Sequence, residues 1–303
     1  MQMDLYRIAV SGLKVVILCL ALIGCNESKP PETEVTISGQ IMLGPVVGGH
    51  SHELVLYTSK MRELARPKVN SDGTYDAVIK GYDGIVIAKL IDTDASKSDY
   101  IDEATGQPKN LGDNVLLGVI DIKSSAKDKK AKLNITPLST VAAVKAGIDI
   151  KGDLVIPLIG LSKKTVASSN IQVSRAFGLG DKSITEIQPK PIISAVDTYQ
   201  EGNAFGHALA AISGLEALDN TGDGAPLTKI IKELSLGVPK DYGVKGLDKN
   251  RQDKMVLGIN KVTADRSPSA KKTLTKLDDY QKKFPEFRLF ISLKISALNV
   301  FLQ

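Results

Sequence analysis

The sequence predicts an α+β protein in which strands come first and helices follow. Between residues 35 and 133, short apolar segments alternate with a period of two and are separated by Gly, Pro and Asp, which is typical of half-buried strands. From residue 134 onward, helix-start signals and helical spacing take over. Because strands and helices are segregated, the pattern favours an all-β sandwich domain at 35–133 and a mainly α-helical domain at 134–303.

Composition limits the classes of partner. The chain has 303 residues and 43% hydrophobic residues, enough to bury a core in each of two domains. The net charge of +5 is spread along the chain, and the basic stretches lack interleaved aromatic residues, so no nucleic-acid partner is expected. Cys19 and Cys25 are the only cysteines, and Cys19 belongs to the leader, so we expect no internal disulfide in the mature protein.

Residues 1–24 have the pattern of a signal peptide. Arg7 and Lys14 precede an apolar run over residues 15–22, and small Gly24 stands at its end. A transmembrane helix would need about 20 apolar residues, and this run is well short of that length. The pattern therefore favours a cleaved leader over a membrane span.

The four residues that close this leader are Leu22, Ile23, Gly24 and Cys25. They resemble the lipobox of bacterial lipoproteins. The resemblance implies that Cys25 becomes the first residue of the mature protein, carries diacylglycerol and an N-acyl chain, and anchors the protein to a membrane. Residues 25–34 are polar and contain prolines, so we expect an unfolded tether. In lipoproteins of the Escherichia type an aspartate after the cysteine causes retention at the inner membrane. Here Asn26 follows, which implies the outer membrane.

Five strands are predicted in the first domain, over residues 35–43, 50–58, 75–79, 85–91 and 115–122. Asp72 and Gly73 supply the left-handed positions that a tight turn before the third strand requires. Residues 85–91 are almost continuously apolar, as expected for a central strand covered on both faces. The polar stretch 92–113 is predicted to be a loop.

Four short motifs follow one another in this part of the chain, namely Gly39-x-Ile41, Gly44-Pro45-Val46, Leu54-Val55-Leu56-Tyr57 and Ser71-Asp72-Gly73-Thr74-Tyr75. This order resembles the carboxypeptidase-regulatory-like, or transthyretin-like, sandwiches of bacterial surface proteins. The resemblance implies an immunoglobulin-like sandwich that serves as a structural or adhesive spacer. It supplies no catalytic residues.

Helix signals begin at Thr136, a good N-cap, followed by Pro137 at the first helical position and closed by Gly147. Further helices are predicted over residues 161–177, 203–218, 227–234 and 269–283. In the helix at 203–218, Gly206, Ala210 and Gly214 form a stripe of small residues along which another helix can approach closely. Residues 288–303 alternate as a strand would, and a docked helix is the alternative.

The stretch from Asn134 to Ala143, taken with Phe205 to Leu215, is similar to a family of bacterial surface lipoproteins and repeat-bearing envelope proteins. In that family a sandwich runs into a Thr-Pro-Leu-Thr helix and later into a Tyr-Gly-x-Ala-Leu-Ala-Ala-Ile-Ser-Gly-Leu segment. This chain has Phe205 where the family usually has Tyr. The resemblance implies a sandwich followed by helices and a location in the bacterial envelope. It implies no catalytic residues.

Two weak metal motifs are present. His50 and His52 fall on one face of a strand, a spacing that can hold a transition metal, although a polar strand edge is favoured. Asp219 and Asp223 resemble the start of a calcium loop, but Ile230 stands where the bidentate Glu is needed. An ordinary Asp-Gly turn is therefore favoured over Ca²⁺, and no cofactor besides the lipid is expected.

The sequence lacks the Gly-x-Ser-x-Gly motif of a hydrolase, and no histidine follows His207. We therefore expect a non-enzymatic outer-membrane lipoprotein that offers a binding, adhesion or assembly surface to a protein partner. The basic run Lys123–Lys132 could contact anionic lipid or lipopolysaccharide, and a solvated loop is the alternative. Other hypotheses are a lipid-tethered solute-binding protein of a transport system, which would favour strand–helix alternation, and an envelope enzyme.

Overall fold

The computed structural model describes residues 33–47, 51–123, 129–193, 202–219, 225–241 and 246–264. The predicted signal peptide with Leu22, Ile23 and Gly24, the lipidated Cys25, most of the tether, and the predicted elements at 269–283 and 288–303 lie outside these ranges. Eleven strands and five helices lie within them. Nine strands precede the first of these helices, so the α+β class is confirmed. None of the helices in the described ranges is both long and apolar enough to cross a membrane.

The strands are β1 (Glu34–Gln40), β2 (His52–Thr58), β3 (Glu63–Ala65), β4 (Thr74–Lys80), β5 (Gly84–Asp92), β6 (Tyr100–Ile101), β7 (Pro108–Lys109), β8 (Leu116–Ile122), β9 (Lys130–Lys132), β10 (Ile148–Lys151) and β11 (Leu154–Pro157). The helices are α1 (Pro137–Ala146), α2 (Lys163–Ala176), α3 (Ala204–Leu218), α4 (Pro226–Gly237) and α5 (Lys249–Ala264).

Two sheets make up the β part. One has the order β4-β1-β9, with β1 antiparallel to β4 and parallel to β9. The other has the order β3-β2-β5-β8 and is antiparallel throughout. As the sequence predicted, Tyr75, Ala77 and Ile79 of β4 are buried, and they share one core with apolar residues of β2 and β5.

Strand β5 is the central strand that its apolar sequence predicts, since it lies between β2 and β8. Val86, Ala88 and Leu90 face the core that the two sheets share. Ile85 and Ile87 belong to a second apolar cluster with residues of α1, α2 and the β10–β11 hairpin. Both faces of β5 are therefore covered, which accounts for the absence of polar alternation in this strand.

Helix α1 begins and ends where the local signals predict. Thr136 Oγ1 accepts a hydrogen bond from Ser139 N (3.0 Å), and Ser139 Oγ accepts one from Thr136 N (2.8 Å), which makes a capping box. Gly147 closes the helix in the left-handed conformation, with φ 112°. Ser139 Oγ also donates to Leu117 O (2.6 Å), so the start of α1 satisfies a backbone hydrogen-bond acceptor on the outer edge of β8.

The small-residue stripe of α3 does allow close approach. A Cβ at Gly214 would overlap the backbone of Gly258 in α5, and a Cβ at Gly206 would overlap the backbone of Lys190. The prediction of a closely packed neighbouring helix is confirmed at Gly214. The neighbour itself, α5, was not predicted.

Two parts of the chain differ from expectation. The stretch 92–113, predicted to be a loop, contains the short β6–β7 hairpin and several buried acidic residues. The mainly helical part contains the β10–β11 hairpin, which packs its inner face against β5 and α1. The change from strands to helices falls between Lys132 and Pro137, at the predicted boundary, and apolar residues on both sides of it belong to one cluster. The division into two domains stays a prediction.

Candidate functional site

An open groove of about 820 Å³ lies between β8, β9 and α2. Strands β8 and β9 are each the outermost strand of their sheet, so the groove lies along two sheet edges. Helix α2 and the segment 182–186 that follows it form the opposite wall. We call this space the lysine groove, because four of its fourteen lining residues are lysines.

Four lysines line the lysine groove, namely Lys130, Lys132, Lys163 and Lys182. Two carboxylates, Asp121 and Glu186, accompany them. Lys163 Nζ lies 3.0 Å from Asp121 Oδ1, so one of the positive charges is paired across the groove. The formal balance of the lining is positive at neutral pH, which favours acidic ligands.

Strand β9 holds two of these lysines at a fixed spacing. It is joined to β1 by hydrogen bonds from Thr36 N to Lys129 O (2.8 Å) and from Leu133 N to Ser38 O (3.0 Å). Lys130 and Lys132 are exposed on either side of half-buried Ala131. Alternate residues of a strand lie about 6.6 Å apart, so the two ammonium groups are carried at that repeat.

The opposite wall is a firmly packed helix. Ser162 caps α2, and Val166 is buried against the outer face of the four-stranded sheet. The buried amide Asn170 Nδ2 donates to Val119 O (2.9 Å) in β8, and Asn170 O accepts from Ile184 N (3.1 Å). These bonds fix α2 and the 182–186 segment to the edge of β8, so the groove has rigid sides.

A second polar cluster, which the sequence did not predict, surrounds Lys109. Its Nζ lies 2.8 Å from Glu216 Oε1 in α3 and 3.7 Å from Asp102 Oδ2. Asp102 Oδ1 also accepts hydrogen bonds from Ala104 N and Thr105 N, both at 2.8 Å. This buried carboxylate cluster ties the 92–113 segment to α3.

Burial dominates the electrostatics of this cluster. It raises the pKa of Glu216, and Lys109 opposes the rise only in part. Burial also raises the pKa of Tyr100, with Glu216 as the next contributor. The cavity beside Tyr100 and Glu216 measures about 10 Å³, room for at most about one water molecule. The cluster therefore serves as a structural link and offers no space for a ligand.

The predicted metal ligands are placed only in part. His52 is buried with Nε2 3.4 Å from Asp99 Oδ1, and Asp99 Oδ2 accepts from Leu111 N (2.8 Å). Asp219 Oδ2 lies 3.8 Å from Lys229 Nζ. His50 and Asp223 lie outside the described residues. Within the described ranges, His, Cys, Asp and Glu form no group of three or more that could hold a metal ion. Both metal sites stay predictions.

Comparisons with known proteins do not show a family for this chain. No protein-family model matches the chain, and no curated protein matches it. A solved structure, the crystal structure of a DUF3823 family protein from Parabacteroides merdae, is 16% identical over 34% of this chain and 45% of that chain, with a TM-score of 0.22. The chain thus matches less than half the length of that protein.

Proposed function

We propose that the protein is a non-enzymatic, lipid-anchored protein of the bacterial outer membrane whose lysine groove binds an acidic, extended segment of a protein partner. The observation that carries this proposal is the pair Lys130 and Lys132 on the outermost strand of a sheet, beside an open groove. The anchor part rests on the lipobox pattern that ends at Cys25.

Strand addition is the binding mode that this geometry supports best. An extended peptide can pair with the outer edge of β9 and gain main-chain hydrogen bonds, while its side chains supply specificity. Every second side chain of an added strand repeats at about 6.6 Å, the same spacing as Lys130 and Lys132. Acidic residues at alternate positions of the partner would therefore match both lysines. Lys182 would contribute to the attraction from the opposite wall.

A direct test uses a fluorescent peptide in which Glu alternates with Thr, and a matched peptide with Gln in place of Glu. We expect the full-length protein to bind the Glu peptide at least about tenfold more tightly in fluorescence polarisation, with affinity falling as salt rises. The double substitution Lys130→Glu and Lys132→Glu should abolish this preference. The matched control is Lys60→Glu with Lys68→Glu, which reverses two exposed lysines that do not line the groove. Equal binding of the two peptides would contradict the proposed partner chemistry.

The anchor is tested separately. Mass spectrometry of the mature protein should find an acylated Cys25 at its amino terminus. Cys25→Ala should release the protein from the membrane fraction or leave it unprocessed. A mature protein that starts elsewhere, or that carries a bare thiol at Cys25, would contradict the lipoprotein proposal without affecting the peptide assay.

A tethered solute-binding protein is the second candidate, and the volume of the groove favours it. About 820 Å³ lies within the range of roughly 300–1,000 Å³ that small-molecule sites occupy. Thermal-shift screening would separate the two candidates. A saturable shift with one small anionic solute, together with no preference between the two peptides, would favour the second.

A further inference from the structure

The β10–β11 hairpin and the loop after it carry an unusual set of exposed aliphatic side chains. Leu154 and Leu158 are 60% and 50% exposed, Ile156 is also exposed, and Ile159 is fully exposed. We call these four residues the apolar stripe. Scattered exposed leucines are common on proteins, but four within six consecutive residues are not.

The stripe exists because β11 is apolar on both faces. Val155 is buried in the cluster beneath β5, while Leu154 and Ile156 point to the opposite side by strand alternation. A strand with this pattern is normally covered on both faces. Among the described residues, only the inner face of β11 is covered, and its outer face is exposed.

Basic side chains accompany the stripe. Lys151 pairs with Leu154 across the hairpin, and its Nζ lies 3.8 Å from Asp149 Oδ2. Exposed Lys163 and Lys164 follow Ile159 closely in the chain. Exposed Asp153 occupies the hairpin turn, so the charge of the hairpin itself is mixed. Lys163 also lines the lysine groove, so the chain runs from the stripe into one wall of that groove.

The folded part begins near this surface. Thr36, close to the start of β1, pairs with Lys130, which lines the lysine groove together with Lys163. Nine tether residues, 25–33, can span at most about 30 Å. If Cys25 carries the proposed lipid, a tether of this length allows this side of the folded part to reach the bilayer. The position of the stripe near the bilayer therefore rests on the proposed lipid anchor.

We propose that the apolar stripe lies in the surface of an anionic phospholipid bilayer, with the neighbouring lysines against its headgroups. A second copy of the chain is a poorer occupant, because four aliphatic side chains fall well below the roughly 800 Å² per partner of a standard protein interface. A bilayer requires no such matching surface. Aliphatic side chains beside lysines suit its interface, and a second weak membrane contact strengthens a lipid anchor.

The test uses the full-length, lipidated protein carrying Ile159→Cys. If the mature protein starts at an acylated Cys25, as proposed, Cys19 has left with the leader and the new thiol is the only free one. It is labelled with an environment-sensitive fluorophore and mixed with phosphatidylcholine vesicles with or without phosphatidylglycerol, some containing a lipid-borne quencher. The control is Leu257→Cys, which labels an aliphatic position on α5 that is 55% exposed.

We expect a blue shift and strong quenching at residue 159 that increase with phosphatidylglycerol, and several-fold weaker quenching at residue 257. Leu154→Asn with Leu158→Asn should remove the signal at 159 while the protein still floats with vesicles. Lys151→Glu with Lys164→Glu, which leaves the lysine groove unchanged, should remove only the dependence on phosphatidylglycerol.

Three results would overturn the inference. A protein that floats while residue 159 stays in water would refute the stripe's role and leave the anchor intact. A protein that does not float with the vesicles at all would refute both the role of the stripe and the lipid anchor. A blue shift that needs no vesicles and grows with protein concentration would show that a second copy covers the stripe.

Discussion

At the scale of single residues, Glu216 gives the clearest prediction of a pH-dependent stability. Its carboxylate is buried beside Lys109, and burial raises its pKa above the ordinary value of 4.5. A carboxyl group with a raised pKa in the folded state stabilises the fold most when it is protonated. That contribution is complete below the ordinary pKa and is lost as the pH rises through the raised one.

We therefore expect the wild-type protein to lose stability relative to Glu216→Gln as the pH rises from below 4.5 through the raised pKa. The amide keeps the shape of the side chain and does not titrate. The measurement is the difference in melting temperature between the two proteins at a series of pH values.

Glu186→Gln is the control, because this residue is exposed at the rim of the lysine groove. A wild-type protein that gains stability over Glu216→Gln with rising pH would show that pairing with Lys109 outweighs the cost of burial.

At the scale of elements, local chemistry decided which predictions succeeded. Helix α1 was predicted because its start and end signals are local. Thr136 caps the first turn, Pro137 occupies the first helical position, and Gly147 closes the last turn. The β10–β11 hairpin had a signal that was missed, since Ile148 and Ile150 alternate with polar residues and Gly152-Asp153 supplies a two-residue turn. Only its second strand lacks alternation. Helix α5 had a usable signal, since buried Met255, Ile259 and Val262 follow helical spacing, but polar residues around them obscured it.

Two capping boxes offer a matched comparison. Thr136 caps α1 and is completely buried, whereas Ser162 caps α2 at an exposed position. We expect Thr136→Ala to lower the free energy of unfolding by about 2 kcal/mol and Ser162→Ala by about 0.5 kcal/mol, because water can replace only the exposed cap. Urea denaturation measures both. Equal losses would mean that burial of the cap does not matter.

The contact between α3 and α5 gives a second test at this scale. Ala is favoured over Gly in a helix by up to about 1 kcal/mol, so Gly214→Ala would stabilise α3 if nothing were near. Its Cβ would instead overlap the backbone of Gly258, so the helices must separate. We expect a net loss of about 1–3 kcal/mol in the free energy of unfolding.

The control for this change is Gly160→Ala. A Cβ there meets no atom within 4 Å, so stability should hardly change. If Gly214→Ala were equally neutral in urea denaturation, the close approach of α3 and α5 in solution would be contradicted.

At the scale of the whole molecule, the sites depend on contacts that no local pattern can reveal. From the basic run at 123–132, Lys130 and Lys132 line the lysine groove, but Lys163 and Lys182 join them only through folding. The buried carboxylate cluster could not be predicted for the same reason, since nothing in the sequence distinguishes Lys109 and Glu216 from other charged residues. The same long-range contacts connect the β and helical parts. Ala104 N donates to Ser213 Oγ (3.0 Å), and Thr228 N donates to Asn114 Oδ1 (3.1 Å).

Because apolar residues of both parts also share one cluster, we expect the sheets and helices to unfold in a single transition. Phe205→Ala removes a fully buried ring from α3 and should cost about 3–5 kcal/mol. If unfolding is cooperative, hydrogen exchange should then accelerate in β1 and β5 as much as in α3. Leu236→Ala, at an exposed position of α4, should leave exchange unchanged. Faster exchange in the helices alone would instead establish two independently stable domains, with the boundary near residue 133 that the sequence predicts.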